Sequence, residues 1–127
     1  MFYECQKMKT LDVTGWDTSN VTTLRTIFAN CQSITSLDVS KWDISNVTTL
    51  QNAFMKCYAL GEIKGINGWD TSKVTNLEQT FWGCRSLDDL DVSNWKTSNV
   101  TTMKFTFNGC SGLVELDLSG WDTSKVT

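Results

Sequence analysis

The sequence predicts an α/β repeat protein, a solenoid of about five turns of 26 residues, each a short strand and a short helix, with a parallel sheet on one face. Three rows of residues at one fixed period predict it. The tryptophans of the period are Trp16, Trp42, Trp69, Trp95 and Trp121. The cysteines are Cys5, Cys31, Cys57, Cys84 and Cys110. The phenylalanines that precede each cysteine by three are Phe2, Phe28, Phe54, Phe81 and Phe107. Apolar residues at a constant phase are typical of stacked repeats.

The strand of each turn is predicted from alternating apolar residues just before the tryptophan. Leu11 and Val13 are two residues apart, and the pairs at 37 and 39, 90 and 92, and 116 and 118 repeat this spacing. Residues two apart lie on one face of a strand, so both are predicted to point inward.

The helix of each turn is predicted after the tryptophan. A cluster of Asp, Thr, Ser and Asn suits a turn and a helix N-cap. The apolar residues that follow are spaced by three, four and three, as on one face of a helix. In the first turn they are Val21, Leu24, Phe28 and Cys31. Asn30, Gly83 and Gly109 stand where such a helix would end.

The third turn contains one extra residue. Its two inward strand residues, Ile63 and Ile66, are three apart, with Lys64 and Gly65 between them. A single insertion beside a glycine in a strand indicates a β-bulge.

Composition excludes several functional classes. The 127 residues carry a net charge of −3, which argues against a nucleic-acid-binding surface, and no apolar run is long enough to span a membrane. The chain has no histidine, so Ser–His and Cys–His catalysis are excluded. We therefore expect no enzyme activity, no cofactor and no metal site.

The cysteine and tryptophan rows are both expected to be structural. No Cys-x-x-Cys pair or histidine completes a zinc site, so buried reduced thiols are favoured over bridges between adjacent turns. The tryptophans are expected to form a core edge with offset stacking, in preference to a platform for sugars.

Acidic residues at outward strand positions form the candidate interaction surface. One row is Asp12, Asp38, Asp91 and Asp117, and the preceding outward position holds Glu62, Asp89 and Glu115. These carboxylates either accept hydrogen bonds from nearby hydroxyls and amides or bind a basic partner, with a divalent cation the less favoured ligand. Two aromatic departures from the repeat, Phe105 and Trp82, are further contact candidates, with local packing as the alternative.

The repeat pattern resembles a known family. The string LDVSKWDISNVTTL at 37–50, followed by Phe54, Cys57 and Leu60, resembles the BspA-like leucine-rich-repeat surface proteins of bacteria, whose repeats run roughly as LDLSxFDTSxVTxMxxMFxxCxSL. The chain departs from that pattern by Trp in place of Phe, at Ile44 and Lys96, and by the bulged strand of the third turn. The resemblance implies a leucine-rich-repeat-like fold, a location outside the cell or on its surface, and adhesion or protein contact without catalytic residues.

The sequence therefore predicts that residues 1–127 form a single repeat solenoid that serves as a non-catalytic protein-interaction or adhesion module of a bacterial surface or secreted protein. Its partner is expected to be a host or cell-surface protein. Neither end shows a capping repeat, so the chain is expected to be a fragment of a longer array or to self-associate head to tail. The alternatives are a structural spacer, a self-assembling solenoid stacked end to end, and an ice-binding threonine array. No signal peptide is recognised, so the location rests on the resemblance.

Overall fold

Successive repeats stack in parallel in the computed structural model, which describes residues 5–127. Strand β1 (Ser36–Asp38) pairs in parallel with strand β2 (Glu62–Lys64), and Leu37 lies opposite Ile63. Further parallel bridges join Thr23 to Thr49, Thr49 to Asn76, and Asn76 to Thr102. Equivalent residues of neighbouring repeats are thus direct partners. Phe2, the first member of the phenylalanine row, lies outside the described residues.

The predicted leucine-rich-repeat-like α/β solenoid, with a strand and a helix in every turn, is wrong. Over residues 5–127 the regular elements are β1, β2 and one 3₁₀-helix, Ile66–Gly68, and no α-helix is present. The predicted strands at 11–13, 90–92 and 116–118 are not strands, although these residues are equivalent in the repeat to the region of β1.

Tight turns replace the predicted helices, and in the three segments that another repeat follows, alternate amides bond to that repeat. In the first such segment, the N–H groups of residues 24, 26, 28 and 30 donate to the carbonyls of residues 49, 51, 53 and 55, over 2.7–3.1 Å. An α-helix would direct each of them to the carbonyl four residues back. The intervening amides close tight turns instead, with Ile27 donating to Leu24 and Cys31 to Phe28. The same alternation recurs from residue 50 and from residue 77.

Left-handed residues produce this turn segment. Thr26 and Asn30 have φ values of 58° and 62°, and the equivalent positions of later repeats also have positive φ. A right-handed helix needs φ near −63° at every residue. The spacing of three, four and three thus comes from successive tight turns, each of which returns an apolar side chain to the interior.

Two stacked aromatic rows run through the core, among buried aliphatic side chains. Trp42 lies between Trp16 and Trp69, with ring centroids 5.8 and 6.2 Å apart, and Phe54 lies between Phe28 and Phe81 at 5.7 and 5.5 Å. The indole N–H of Trp42 donates to the carbonyl of Val13 in the preceding repeat at 3.0 Å. Trp42, Trp69 and Trp95 are buried, so these rings are core residues and not a platform for sugars.

The extra residue of the third turn ends β2 and does not form a bulge within it. Lys64 is still paired with Asp38, and the next residue, Gly65, has a φ of 86°. A Cβ on Gly65 would lie 2.2 Å from Cα of Ser40. Gly65 is therefore the inserted residue, and the 3₁₀-helix after it returns Ile66 to the core.

Replacement of Gly65 by alanine is expected to lower the free energy of unfolding by about 2 kcal/mol or more, because the added methyl group meets the Ser40 backbone and the left-handed φ disfavours a side chain. Chemical denaturation followed by tryptophan fluorescence measures the change. Gly68→Ala is the matched control, since a Cβ there meets no atom within 4 Å. Equal stability of the two variants would contradict the assigned role of Gly65.

Candidate functional site

The predicted acidic residues lie on one outer surface, which we call the acidic face: Asp12, Asp38, Glu62, Asp89, Asp91, Glu115 and Asp117. Strands β1 and β2 position its centre, since Leu37 and Ile63 point into the core and their neighbours point outward. Phe105 and Trp82 do not join this surface. They lie on the turn segments that follow the tryptophans, so the structure divides the predicted candidates between two surfaces.

The aspartate row of the acidic face is held in local turns. The Asp38 carboxylate accepts hydrogen bonds from the Ser40 amide at 3.0 Å and from its hydroxyl at 2.5 Å, and Asp91 accepts the same pair from Ser93. Asp12 and Asp117 also accept from the residue two positions on. These hydrogen bonds lower the pKa of each of the four carboxyl groups. The row therefore stabilises the turns that shape the face.

The other acidic row is called the unengaged row, because its carboxylates have no partner among the described residues. Glu62, Asp89 and Glu115 are exposed, and within residues 5–127 their carboxylates form no hydrogen bond or ion pair. Asp88 lies beside two of them and helps to line a shallow groove of about 400 Å³ with Glu62 and Asp89. Sequence analysis missed Asp88 because its equivalents are Thr35, Gly61 and Val114, so no row indicates it. Four carboxylates are thus available to a ligand from outside.

Two lysines interrupt the aspartate rows. Nζ of Lys64 lies 3.6 Å from a carboxylate oxygen of Asp38, and Nζ of Lys96 lies 3.6 Å from one of Asp70. Exposed pairs of this kind contribute little energy on their own. They reduce the repulsion between like charges on neighbouring repeats.

The threonine row is exposed, but its hydroxyls are used within the stack. The hydroxyl of Thr48 donates to the carbonyl of Thr22, that of Thr75 to Thr48, and that of Thr101 to Thr75, each at 3.2 Å. Each amide of these threonines donates to the same carbonyl. The row therefore joins successive repeats through paired hydrogen bonds.

The cysteines of the row are reduced and form no disulfide bond among the described residues. Sγ of Cys57 lies 3.1 Å from the carbonyl oxygen of Phe28, and Cys84 is placed likewise against Phe54. Burial raises the pKa of Cys57 to about 12 and that of Cys31 to about 11, so both remain protonated at neutral pH. A protonated, buried thiol is a poor nucleophile and a poor metal ligand. In the described part of the chain, no three His, Cys, Asp or Glu residues are grouped to hold a metal ion.

An apolar groove of about 570 Å³ lies at the first described repeat. Its lining includes Trp16, Val21, Leu24 and Ile27, together with Asp17. The Asp17 carboxylate is already held by the amide and hydroxyl of Ser19. The groove therefore offers apolar contact and no acid–base pair.

Comparison with known proteins gives one family and one solved structure. The model of the family described as "Mycoplasma protein of unknown function, DUF285" matches residues 1–63 and 50–127. A leucine rich cell surface protein from Faecalibacterium prausnitzii A2-165 is similar in structure, with a TM-score of 0.43 and 18% identity, over 91% of this chain and 34% of that one. The chain thus spans about a third of the length of that protein. No curated protein matches, and no helix of the described residues could cross a membrane.

Alkaline pH is expected to destabilise the protein through its buried thiols. The unfolded Cys57 thiol ionises near its ordinary pKa of 9.0, whereas the folded one is held to about 12. Its contribution is therefore complete below pH 9 and is lost as the pH rises toward 12, with a slope of about 1.4 kcal/mol per pH unit.

The test compares urea unfolding at several pH values between 8 and 10.5 for the protein and for Cys57→Ala. The variant should lose stability less steeply, because one titrating thiol is gone. If the free energy of unfolding fell equally steeply with pH in both proteins, the Cys57 thiol would make no contribution to the loss of stability.

Proposed function

The chain belongs to the family described as "Mycoplasma protein of unknown function, DUF285", and we propose that it serves as a non-catalytic protein-interaction module of a bacterial surface or secreted protein. The family description names a group of bacteria and assigns no activity. The resemblance of residues 37–50 to the repeats of BspA-like surface proteins supports the location and the role in protein contact. The structure supports a module built to present the same outward positions once per repeat.

The chemistry of the side chains supports a binding role over catalysis. The sequence has no histidine. Burial raises the pKa of the Cys31 and Cys57 thiols, and hydrogen bonds lower the pKa of the row aspartates. Each of these groups is thus held in one protonation state near neutral pH, whereas general acid–base catalysis needs a group that changes state there.

The unengaged carboxylates are the observation that carries the proposal. Glu62, Asp89 and Glu115 occupy one position in three consecutive repeats, and Asp88 adds a fourth charge beside them. Paired parallel strands are about 4.8 Å apart, so this row offers negative charge at short, regular intervals. A partner segment rich in lysine or arginine is complementary to it.

Removal of these charges is expected to weaken binding to a short lysine-rich peptide at least about tenfold at low salt. The test variant combines Glu62→Gln, Asp89→Asn and Glu115→Gln, and fluorescence anisotropy of the labelled peptide measures the affinity. Asp38 and Asp91 are left unchanged, because their carboxylates already accept hydrogen bonds from Ser40 and Ser93 and are therefore less available to a ligand than the unengaged row.

A control variant removes three charges elsewhere through Glu78→Gln, Asp17→Asn and Asp122→Asn. Asparagine keeps an oxygen that can accept the turn hydrogen bond, so the fold should be retained. Binding should then stay near that of the unchanged protein. Equal losses of peptide affinity in the two variants would mean that binding depends only on the net charge of the protein. That result would contradict a specific acidic face.

A structural spacer is the second candidate. The aspartate, threonine, tryptophan and phenylalanine rows are all engaged in contacts within the stack, as a spacer would require. The same peptide measurement distinguishes the two roles, because a spacer does not bind ligands through the unengaged row and would show no peptide binding.

A further inference from the structure

The turn segments carry a net positive charge, whereas the rest of the molecule is net negative. These segments, residues 24–32, 50–58, 77–85 and 103–111, contain four cations and one acid, Glu78. The cations are Arg25, Lys56, Arg85 and Lys104. Four positive charges and one negative charge give +3, against −3 for the whole chain. The surface formed by the turn segments, which we call the turn side, is therefore basic.

Aromatic rings and cations are paired on the turn side. Nζ of Lys56 lies 5.0 Å from the ring centre of Trp82, and Cζ of Arg85 lies 4.6 Å from that of Tyr58. Both pairs cross the same junction between two repeats, where the Lys56 amide donates to the carbonyl of Trp82 at 2.6 Å. Lys56, Tyr58 and Trp82 are half-buried and Arg85 is exposed. We call these four residues the cation–aromatic patch. A third pair, Lys104 over Phe105 at 5.2 Å, lies in the next repeat.

Lys56 occupies a backbone position that does not favour lysine. Its φ is 59°, and the equivalent positions hold Asn30, Gly83 and Gly109. Asparagine and glycine adopt this left-handed conformation most readily, whereas other residues lose about 1 kcal/mol. Phe105, 49% exposed with a φ of 59°, is a second such case. The fold does not require either side chain, and strained residues of this kind concentrate at functional sites.

We propose that the cation–aromatic patch binds an anionic glycan, a polymer of sugars that carry carboxylates. The exposed parts of Trp82 and Tyr58 offer ring surface to the C–H faces of a sugar. Arg85 can bind a sugar carboxylate through two parallel N–H donors, and Lys56 adds a second positive charge. Either cation can leave its ring to meet the ligand, because exposed cation–aromatic contacts contribute little.

Two other polyanionic partners fit the patch less well. A nucleic acid presents a dense row of phosphates and is bound through many cations, whereas this junction has two. A stable contact with a membrane surface combines basic residues with an apolar face that inserts between lipids, whereas Trp82 and Tyr58 are half-buried in the stack. A sugar polymer needs only a few rings and charges at the spacing of adjacent repeats.

The test measures binding of polygalacturonate by isothermal titration calorimetry. Lys56→Gly is the informative variant, because glycine stands at the equivalent position of two other repeats. We expect it to unfold at the same or a higher temperature and to bind polygalacturonate about tenfold more weakly. Trp82→Asn, which copies the equivalent Asn108, should weaken binding similarly. Arg25→Gln, which copies Gln51, is the matched control and should bind as the unchanged protein does.

Several outcomes would overturn the proposal. They are the absence of binding to polygalacturonate, unchanged affinity of Lys56→Gly, equal binding of uncharged dextran, and preferred binding of duplex DNA or of phosphatidylglycerol vesicles. The proposal does not depend on the acidic face. The variant that lacks Glu62, Asp89 and Glu115 should still bind polygalacturonate at least as tightly as the unchanged protein, so failure of one proposal is distinguishable from failure of the other.

Discussion

The hydrogen bonds from alternate amides of the first three turn segments to the next repeat are the interaction on which the rest of the structure depends. The amides of Leu24 and Phe28 find their acceptors only in the following repeat, and the ring of Phe28 stacks there on Phe54. A single repeat therefore cannot satisfy its backbone or bury its aromatic residues alone. Once repeats are stacked, every outward position recurs at the strand spacing, which places the equivalent side chains of successive repeats side by side. Both proposed binding surfaces are consequences of this arrangement.

The interior of the fold was predictable from the sequence, and the path of the backbone was not. Buried positions such as Trp42 and Phe54 hold the same residue in each repeat, so the period indicates them directly. The spacing of Val21, Leu24 and Phe28 fits one face of a helix, but successive tight turns satisfy it equally well. The deciding feature is positive φ at Thr26, and nothing in the residue type indicates it. Physical packing fixes which residues are inward, while hydrogen bonds between repeats decide the conformation between them.

The candidate surfaces were predictable in the same partial way. The acidic rows could be assigned to the outside from strand alternation alone. The difference between them follows from a local pattern, because Asp38 has a serine two residues later and Glu62 has a lysine there. Lys56 could not be found by a search for rows, since it occurs once. Its importance lies in its left-handed backbone and its contact with Trp82 across a repeat junction, neither of which a one-dimensional pattern contains.

The insertion at Gly65 has a consequence for how such chains vary in length. The added residue is absorbed at one corner: the Trp42 and Trp69 rings, which lie on either side of it in the chain, stack at 6.2 Å, as Trp69 and Trp95 do beyond it. An added residue at this corner therefore changes the length of the chain and leaves the register of the stacked repeats unchanged. Evolution can lengthen the chain there without rebuilding neighbouring turns, and a protein engineer can use the same corner to graft a recognition loop.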